Sequence, residues 1–384
     1  MIKNILLAPD SFKGSLSANE VARAMERGIR RVWPDAGIIR IPMADGGEGT
    51  LDAVLAAVGG QRRSARVTGA DFNPVDAEYG LIQKDGHTVA ILETSQVVGF
   101  SLAGAQPVAD RTTLGLGELF LHCLDQGVRH FMIGLGGSST NDGGAGVLAA
   151  LGVRLLDQQD HIIRPTPLGL SGLVKVDFSA MDARIKASSI VLMSDVRNPL
   201  CGADGATAIF GPQKGVAAQD VPLFDGWLQG LADLCDAACG RLISAAEGAG
   251  AAGGLGFAFQ LLGGKSRSGA EIVCEFTGFD AALEQADWVI TGEGLSDVQT
   301  LLGKVPYVVA EHARRSGVPV TLVSGGIDQR ALPRLAGSFD SCFSITFQPV
   351  SLQEAMADAE NMVSNTLEQM TRLATMVSKP GSAR

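Results

Sequence analysis

The sequence predicts an α/β protein in which one domain is inserted into another, and three observations carry that expectation. An apolar, strand-like run empties into a polar loop and then a helical pattern, twice within about the first 60 residues. From about Arg62 the texture changes to hairpin strands. Near residue 286 the strand–loop–helix rhythm returns. At 384 residues the chain is too long for one compact core, which makes two domains the default.

Taken in order, Lys3 to Ala8 reads as a strand that ends in Pro9-Asp10-Ser11-Phe12-Lys13-Gly14-Ser15. Ser17 and Glu20 stand at capping-box spacing, and Val21, Met25, Ile29 and Val32 form the apolar stripe of the helix that follows. Ile38 to Pro42 is the next strand. It opens into Asp45-Gly-Gly-Glu48-Gly49 and a helix from Thr50 to Val58. Val75 to Gln83 and His87 to Glu93 read as a hairpin across Asp85-Gly86. Leu114 to Gln126 is a helix. Residues 157–188 carry Pro165, Pro167 and short apolar clusters and are the least readable part.

Ser189 to Met193 is a strand running into Ser194-Asp195-Val196-Arg197-Asn198. Gly211 to Gly215 follows, then a helix from about Gln219 to Cys239, and Gly248 to Gly256 opens another. Ala286 to Thr291 and Val318 to Val323 are late strands, the first meeting Gly292-Glu293-Gly294. A second capping box, Ser351 to Glu354, begins a final helix with a core stripe of Leu352, Met356, Ala359, Val363, Leu367 and Met370.

The stretch with most chemistry is Gly134-Leu-Gly-Gly-Ser-Ser-Thr-Asn-Asp-Gly-Gly-Ala-Gly146. It lies between an apolar run ending at Ile133 and another from Val147 to Leu151. Six of its thirteen residues are glycine. A bare strand-to-helix turn needs glycines but not five consecutive polar groups. Backbone N–H groups freed of side chains, aimed from a helix start, suit a phosphate.

Composition narrows the function classes. The formal charge of −10, with basic residues only in isolated pairs such as Arg30-Arg31, argues against nucleic acid as partner. Aromatic content of 5% supplies no base-stacking platform. Six scattered cysteines without C-x-x-C suit reduced thiols and a cytoplasmic location, and no apolar run is long enough to span a membrane. Five dispersed histidines and the absence of G-x-S-x-G weigh against a histidine-bound metal and a serine hydrolase. Gly264-Lys265-Ser266 fails as a nucleotide loop because Phe259 occupies the position that needs glycine.

Strand-end loops with carboxylates and single lysines remain: Asp10, Lys13 and Ser15; Asp45 and Glu48; Asp142; Asp195 and Asn198; Lys214; Glu293 and Asp297; Lys304. Each alone reads more readily as structural than catalytic, since Asp and Asn favour turns for local reasons. Together they provide what phosphoryl transfer requires: an anion cradle, carboxylates for Mg²⁺, a cation for developing charge and an aspartate for the acceptor's proton. A small-molecule kinase is the reading they favour.

The ordered motifs Ala8–Ala18, Ala44–Thr50, Gly136–Gly144, Ser194–Leu200, Gly211–Gly215, Gly250–Gly254 and Thr291–Gly294 closely resemble those of the bacterial glycerate kinase type 1 family, over about residues 3 to 345. The resemblance implies ATP-dependent phosphorylation of D-glycerate, usually to 2-phosphoglycerate. It also implies a Rossmann-like parallel-sheet domain split in sequence, here 1–62 and 285–384. An inserted α/β domain, 63–284, would carry the glycine tract, and the active site would lie in an interdomain cleft. Where the family commonly reads T-G-E-G-R, Leu295 stands in the arginine's place.

On that basis the expected site places ATP phosphates on Gly136, Gly137, Ser138 and Ser139, with Gly253 and Gly254 assisting and Lys214 as counter-charge. Mg²⁺ falls to Asp45 or Asp142. Asp195 is the first choice of base and Asp297 the second. Lys13 or Arg197 grips the substrate carboxylate, beside Asp10, Ser15 and Glu293. Rival readings are a kinase of another small hydroxy acid or polyol, or a sensor that binds nucleotide or glycerate without turnover. The oligomeric state stays open, with a homodimer among the options.

Overall fold

In a computed structural model, which describes residues 2–377, backbone hydrogen bonding sorts the main strands into two sheets. The chain divides by contacts into two compact units. One runs to Asp45, includes 52–58 and resumes from Ala270; the other comprises 46–51 and 59–269.

The first unit holds a five-stranded, all-parallel sheet in the order Ser341–Ser344, Val320–Ser324, Trp288–Thr291, Asn4–Leu7, Gly37–Arg40. Numbered along the unit this is the doubly wound order 2-1-3-4-5, whose direction reverses between Asn4–Leu7 and Trp288–Thr291. The helix Ala18–Arg30 starts on the expected capping box, with Ser17 as N-cap. Its buried face of Val21, Met25 and Ile29 shares a core with Ile5 and Leu7, and with Val363, Leu367 and Met370 of the helix Ala359–Val377. Gly28 lets the two helices approach, since a Cβ there would stand 2.1 Å from the Ser364 carbonyl oxygen.

The second unit holds six strands in the order Lys265–Arg267, Ser189–Met193, His130–Gly134, His87–Glu93, Pro74–Lys84, Gln61–Thr68. The first four are parallel and the last two antiparallel. The Asp85-Gly86 turn has positive φ at both residues, 50° and 78°, as a two-residue hairpin loop requires. Phe120 and Phe131 stack at 3.9 Å in a core that also takes in Leu92, Leu148, Phe257 and Phe259.

Several elements went unread in the sequence. Gln61–Thr68 is an edge strand whose first four residues are exposed and carry two arginines, so neither face shows an apolar pattern. Gly211 to Gly215 is the last turn of the helix Ala206–Lys214, which Gly215 ends at φ 102°. The helices Gly269–Thr277 and Phe279–Leu283 group with the first unit from residue 270, short of the 284/285 junction expected. Val305–Ser316 begins with proline in its first turn. No helix among the described residues is long and apolar enough to cross a membrane.

Candidate active site

The glycine tract follows the strand His130–Gly134, and much of its glycine content answers to backbone packing within the second unit. A Cβ on Gly134 would lie 2.5 Å from the Gly46 oxygen, and one on Gly136 would lie 2.4 Å from the Gly47 Cα. The Gly136 N–H donates to Gly46 O at 3.1 Å. Ser139 is fully buried and gives both N–H and hydroxyl to the Val98 carbonyl, at 2.9 and 2.8 Å. Ser139 is therefore a loop anchor, a correction to its place among the phosphate contacts. Gly137, exposed and at φ 76°, is the open point of the tract, with Gly136 and the Ser138 side chain beside it.

Asp142 also changes role. Its Oδ2 accepts from the Thr113 N–H (2.9 Å), the Thr113 hydroxyl (2.8 Å) and the Gly146 N–H (3.2 Å), and its Oδ1 accepts from Gly144 N–H (3.0 Å). It is fully buried, and burial raises its pKa against the pull of those donors. Four donors on a sealed carboxylate leave no access for Mg²⁺, so the metal assignment fails here. The start of the six-residue helix Ala145–Ala150 is likewise satisfied by the protein's own aspartate, not kept open for a ligand.

Gly253 and Gly254 pack closely against the tract. Both are buried, at φ 70° and 97°, and Gly143 N–H donates to the Gly253 oxygen at 3.0 Å. A Cβ on Gly253 would lie 2.1 Å from Thr140 O and 2.9 Å from Lys214 Nζ; one on Gly254 would lie 2.5 Å from Gly143 Cα. These glycines seat the tract and the lysine.

Lys214, the last residue of its helix, is the buried basic group of this region. Its buried Nζ donates to Ser138 Oγ at 3.0 Å and to Thr140 O at 2.8 Å. Burial pushes its pKa down to about 7; Asp142 opposes the shift and Arg111 adds to it. Arg111 was missed in the sequence. Its Nη1 donates to Ser139 O (3.0 Å) and Lys214 O (3.2 Å), its Nε to Gln106 O (2.8 Å). Only the polar run Asp110-Arg111-Thr112-Thr113 could have signalled it. After the strand Ser189–Met193, Asp195 is half-buried and Arg197 exposed, while Asn198 closes its own loop by donating to Asp204 O at 2.8 Å.

In the first unit, carboxylates gather where the sheet order reverses. The loops leaving Asn4–Leu7 and Trp288–Thr291 run side by side: Ala8 N–H reaches Ile290 O and Asp10 N–H reaches Gly292 O, both at 2.8 Å. Such a switch point is where open α/β sheets hold ligands. Asp10 and Glu293 are both buried here. Asp45 follows the neighbouring strand Gly37–Arg40. Burial, and then the Asp45 charge, hold the Asp10 carboxyl well above its usual range, with Glu293 adding to the shift; the Ser11 N–H and Lys13 oppose it. Glu293 accepts from Thr300 Oγ1 (2.6 Å) and Ser296 Oγ (3.0 Å), and Lys304 Nζ lies 3.5 Å away. Lys13 is exposed and 3.8 Å from Asp45.

Two expected residues are engaged by the protein's own backbone. The Ser15 hydroxyl donates to Met356 O at 2.7 Å, so it ties its loop to the helix Leu352–Ala357, which corrects its substrate-binding assignment. Asp297 accepts from Gln299 N–H at 2.7 Å in the turn that precedes Thr300–Leu302, and stays half-buried. Leu295 is 58% exposed, one residue beyond the Gly292–Gly294 loop. Among the described residues no group of three or more His, Cys, Asp or Glu is arranged to hold a metal ion. Asp45 is half-buried, with Lys13 Nζ 3.8 Å from its Oδ2.

A doubly wound sheet with acids at its switch point, and a glycine tract backed by a buried lysine, define an α/β phosphotransferase. The model of the glycerate kinase family matches residues 5–375. The chain is 41% identical to a Bacillus cereus glycerate kinase, over 98% of this chain and 99% of the relative. It is 40% identical to the glycerate 2-kinase of Escherichia coli K12, over 92% and 93%. The crystal structure of an inferred glycerate kinase 2 from Salmonella typhimurium LT2 superposes with a TM-score of 0.78 at 39% identity, covering 99% of this chain and all of the other. The chain belongs to the glycerate kinase family.

Proposed function

We propose that this protein transfers the γ-phosphoryl group of ATP to D-glycerate, with 2-phosphoglycerate as the favoured product. The observation that carries this reading is Lys214: a buried lysine amine bonded to Ser138, the neighbour of the exposed Gly137, in a chain matched to the family across residues 5–375. Terminal phosphates bind at Gly136, Gly137 and Ser138, where Lys214 offsets the charge that develops during transfer. Asp45 would hold Mg²⁺ together with phosphate oxygens, and the ion would neutralise the transferring group. Asp195 accepts the hydroxyl proton, with Asp297 as second choice. Lys13 or Arg197 grips the substrate carboxylate, and Asp10 and Glu293 orient the hydroxyls.

The six cysteines are unpaired, and burial pushes the thiols of Cys123, Cys201 and Cys235 up to about 12, which supports a reducing, cytoplasmic setting. Incubation with ATP, Mg²⁺ and D-glycerate tests the reading, with the product resolved by ³¹P and ¹³C NMR. A 2-phosphate supports it, a 3-phosphate corrects the regiochemistry, and no phosphorylated product contradicts it.

One observation favours a second reading, a different small hydroxy acid. The exposed Leu295 stands where a guanidinium would offer paired donors to a carboxylate. A panel of hydroxy acids and polyols decides between them: glycerate should give the highest kcat/KM. A Leu295→Arg change that raises glycerate turnover about tenfold would favour the alternative.

A further inference from the structure

The segment Arg111–Thr113 is stitched to the glycine tract twice. Arg111 Nη1 donates to Ser139 O at 3.0 Å, and Asp142 accepts from the N–H and hydroxyl of Thr113 at 2.9 and 2.8 Å. The same Arg111 nitrogen reaches Lys214 O at 3.2 Å. That carbonyl is the last of the helix Ala206–Lys214 and so lacks a partner further along the helix. Arg111 thus satisfies an orphan group while joining the tract to the helix end that bears the lysine. Its Nε is fixed by Gln106 O at 2.8 Å, which sets the plane of the fork.

We propose that Arg111 is a positioning residue for phosphate binding: its fork sets the spacing between glycine tract and lysine helix, and its charge primes Lys214 to receive an anion. The proposal rests on the reading of Lys214 as the counter-charge for phosphate. The charged groups that face Lys214 are Arg111 and Asp142, and they act in opposite directions. Burial, with the Arg111 charge adding to it, outweighs the pull of Asp142, so Nζ titrates near neutral pH in the free protein. A phosphate oxygen arriving at Gly137 supplies the missing negative charge, and Nζ then takes a proton from solvent. Arg111 remains protonated throughout, though burial draws its pKa below the usual value.

NMR of protein labelled with ¹³C-lysine reads the Lys214 side chain directly, its signal identified by its absence in Lys214→Arg; inorganic tripolyphosphate is the probe. The wild type should titrate near pH 7, as burial of Lys214 implies, and the midpoint should rise when tripolyphosphate binds. In Arg111→Met the midpoint of the free protein should rise and tripolyphosphate should bind about 10-fold more weakly. Arg111→Lys keeps the charge but not the fork, so its midpoint should stay near that of the wild type while affinity falls by a similar factor. Normal tripolyphosphate binding in both variants, with an unmoved Lys214 midpoint, overturns the role of Arg111. A wild-type protein that binds no tripolyphosphate overturns the phosphate role of Lys214 itself.

Discussion

The two regions rich in motif residues solve opposite electrostatic problems. At the switch point of the first unit, Asp10 and Glu293 are buried together and Asp45 adds negative charge, so Asp10 is held toward its neutral form. In the second unit a cation is buried, and Lys214 is held toward its neutral form. Each region holds a titratable group away from its ordinary charge state, as functional sites often do. The difference shows in the neighbours. Around Lys214 the protein's own groups hold Nζ, Ser139 and Asp142, while Thr140 Oγ1 and Asn141 Oδ1 are buried without a partner; around Asp10 the buried groups are acids, with Glu293 held by two hydroxyls.

The sharpest way to break this comparison is Lys214→Met. Steady-state kinetics should show kcat/KM for glycerate phosphorylation falling about 1,000-fold, as when a transition-state donor is removed. The fold should survive, and the pH dependence of stability gives the sign. A lysine whose folded pKa of about 7 lies below the 10.5 of an ordinary lysine carries its full burial penalty below pH 7. Wild-type stability should therefore gain from this group as pH rises from about 7 toward 10.5, and thermal melts of Lys214→Met should lack that gain. Asp10 has the opposite slope. Its folded pKa is raised, so its contribution is fully present below the unfolded pKa and is lost as pH rises through the folded one. Asp10→Asn should remove that loss and leave the protein more stable at neutral pH, with weaker glycerate binding.

The same aspartate-to-asparagine change should give different phenotypes at the two expected metal ligands. Asp142→Asn exchanges a four-donor acceptor for a group with one acceptor oxygen, and should cost about 3–5 kcal/mol of stability in denaturant melts. Asp45→Asn should leave stability within about 0.5 kcal/mol and shift the Mg²⁺ concentration needed for half-maximal rate upward. An altered Mg²⁺ requirement in a fully stable Asp142→Asn would restore that residue to the metal. Gly136→Ala, which puts a methyl 2.4 Å from Gly47 Cα, should cost about 1–3 kcal/mol. Ser15→Ala should be mildest, losing about 1 kcal/mol with its bond to Met356 O while the KM for glycerate stays unchanged.

The fold class was legible because strands such as Asn4–Leu7 and helices such as Ala18–Arg30 combine apolar periodicity with a cap that the sequence spells out. Gln61–Thr68 was not, because an edge strand covered by charged side chains buries too little to show a pattern. The site motifs were found as residues, but the internal partners of some were not legible. Ser139, Asp142, Gly253 and Gly254 look like ligand chemistry in one dimension. Their partners, Val98, Thr113 and the Thr140–Gly143 backbone, lie far off in sequence or on another loop. Arg111 escaped for the converse reason: its partners are main-chain carbonyls, which leave no trace in a sequence.

The central claim is that a terminal phosphate docks on Lys214, and calorimetry of Mg·ATP binding at pH 8 in buffers of differing ionisation enthalpy tests it most directly. Lys214 lies mostly neutral at that pH and becomes charged when phosphate arrives, so the wild type should take up close to one proton per ATP and Lys214→Met none. Binding with no proton uptake, or with equal uptake in both proteins, would contradict the account.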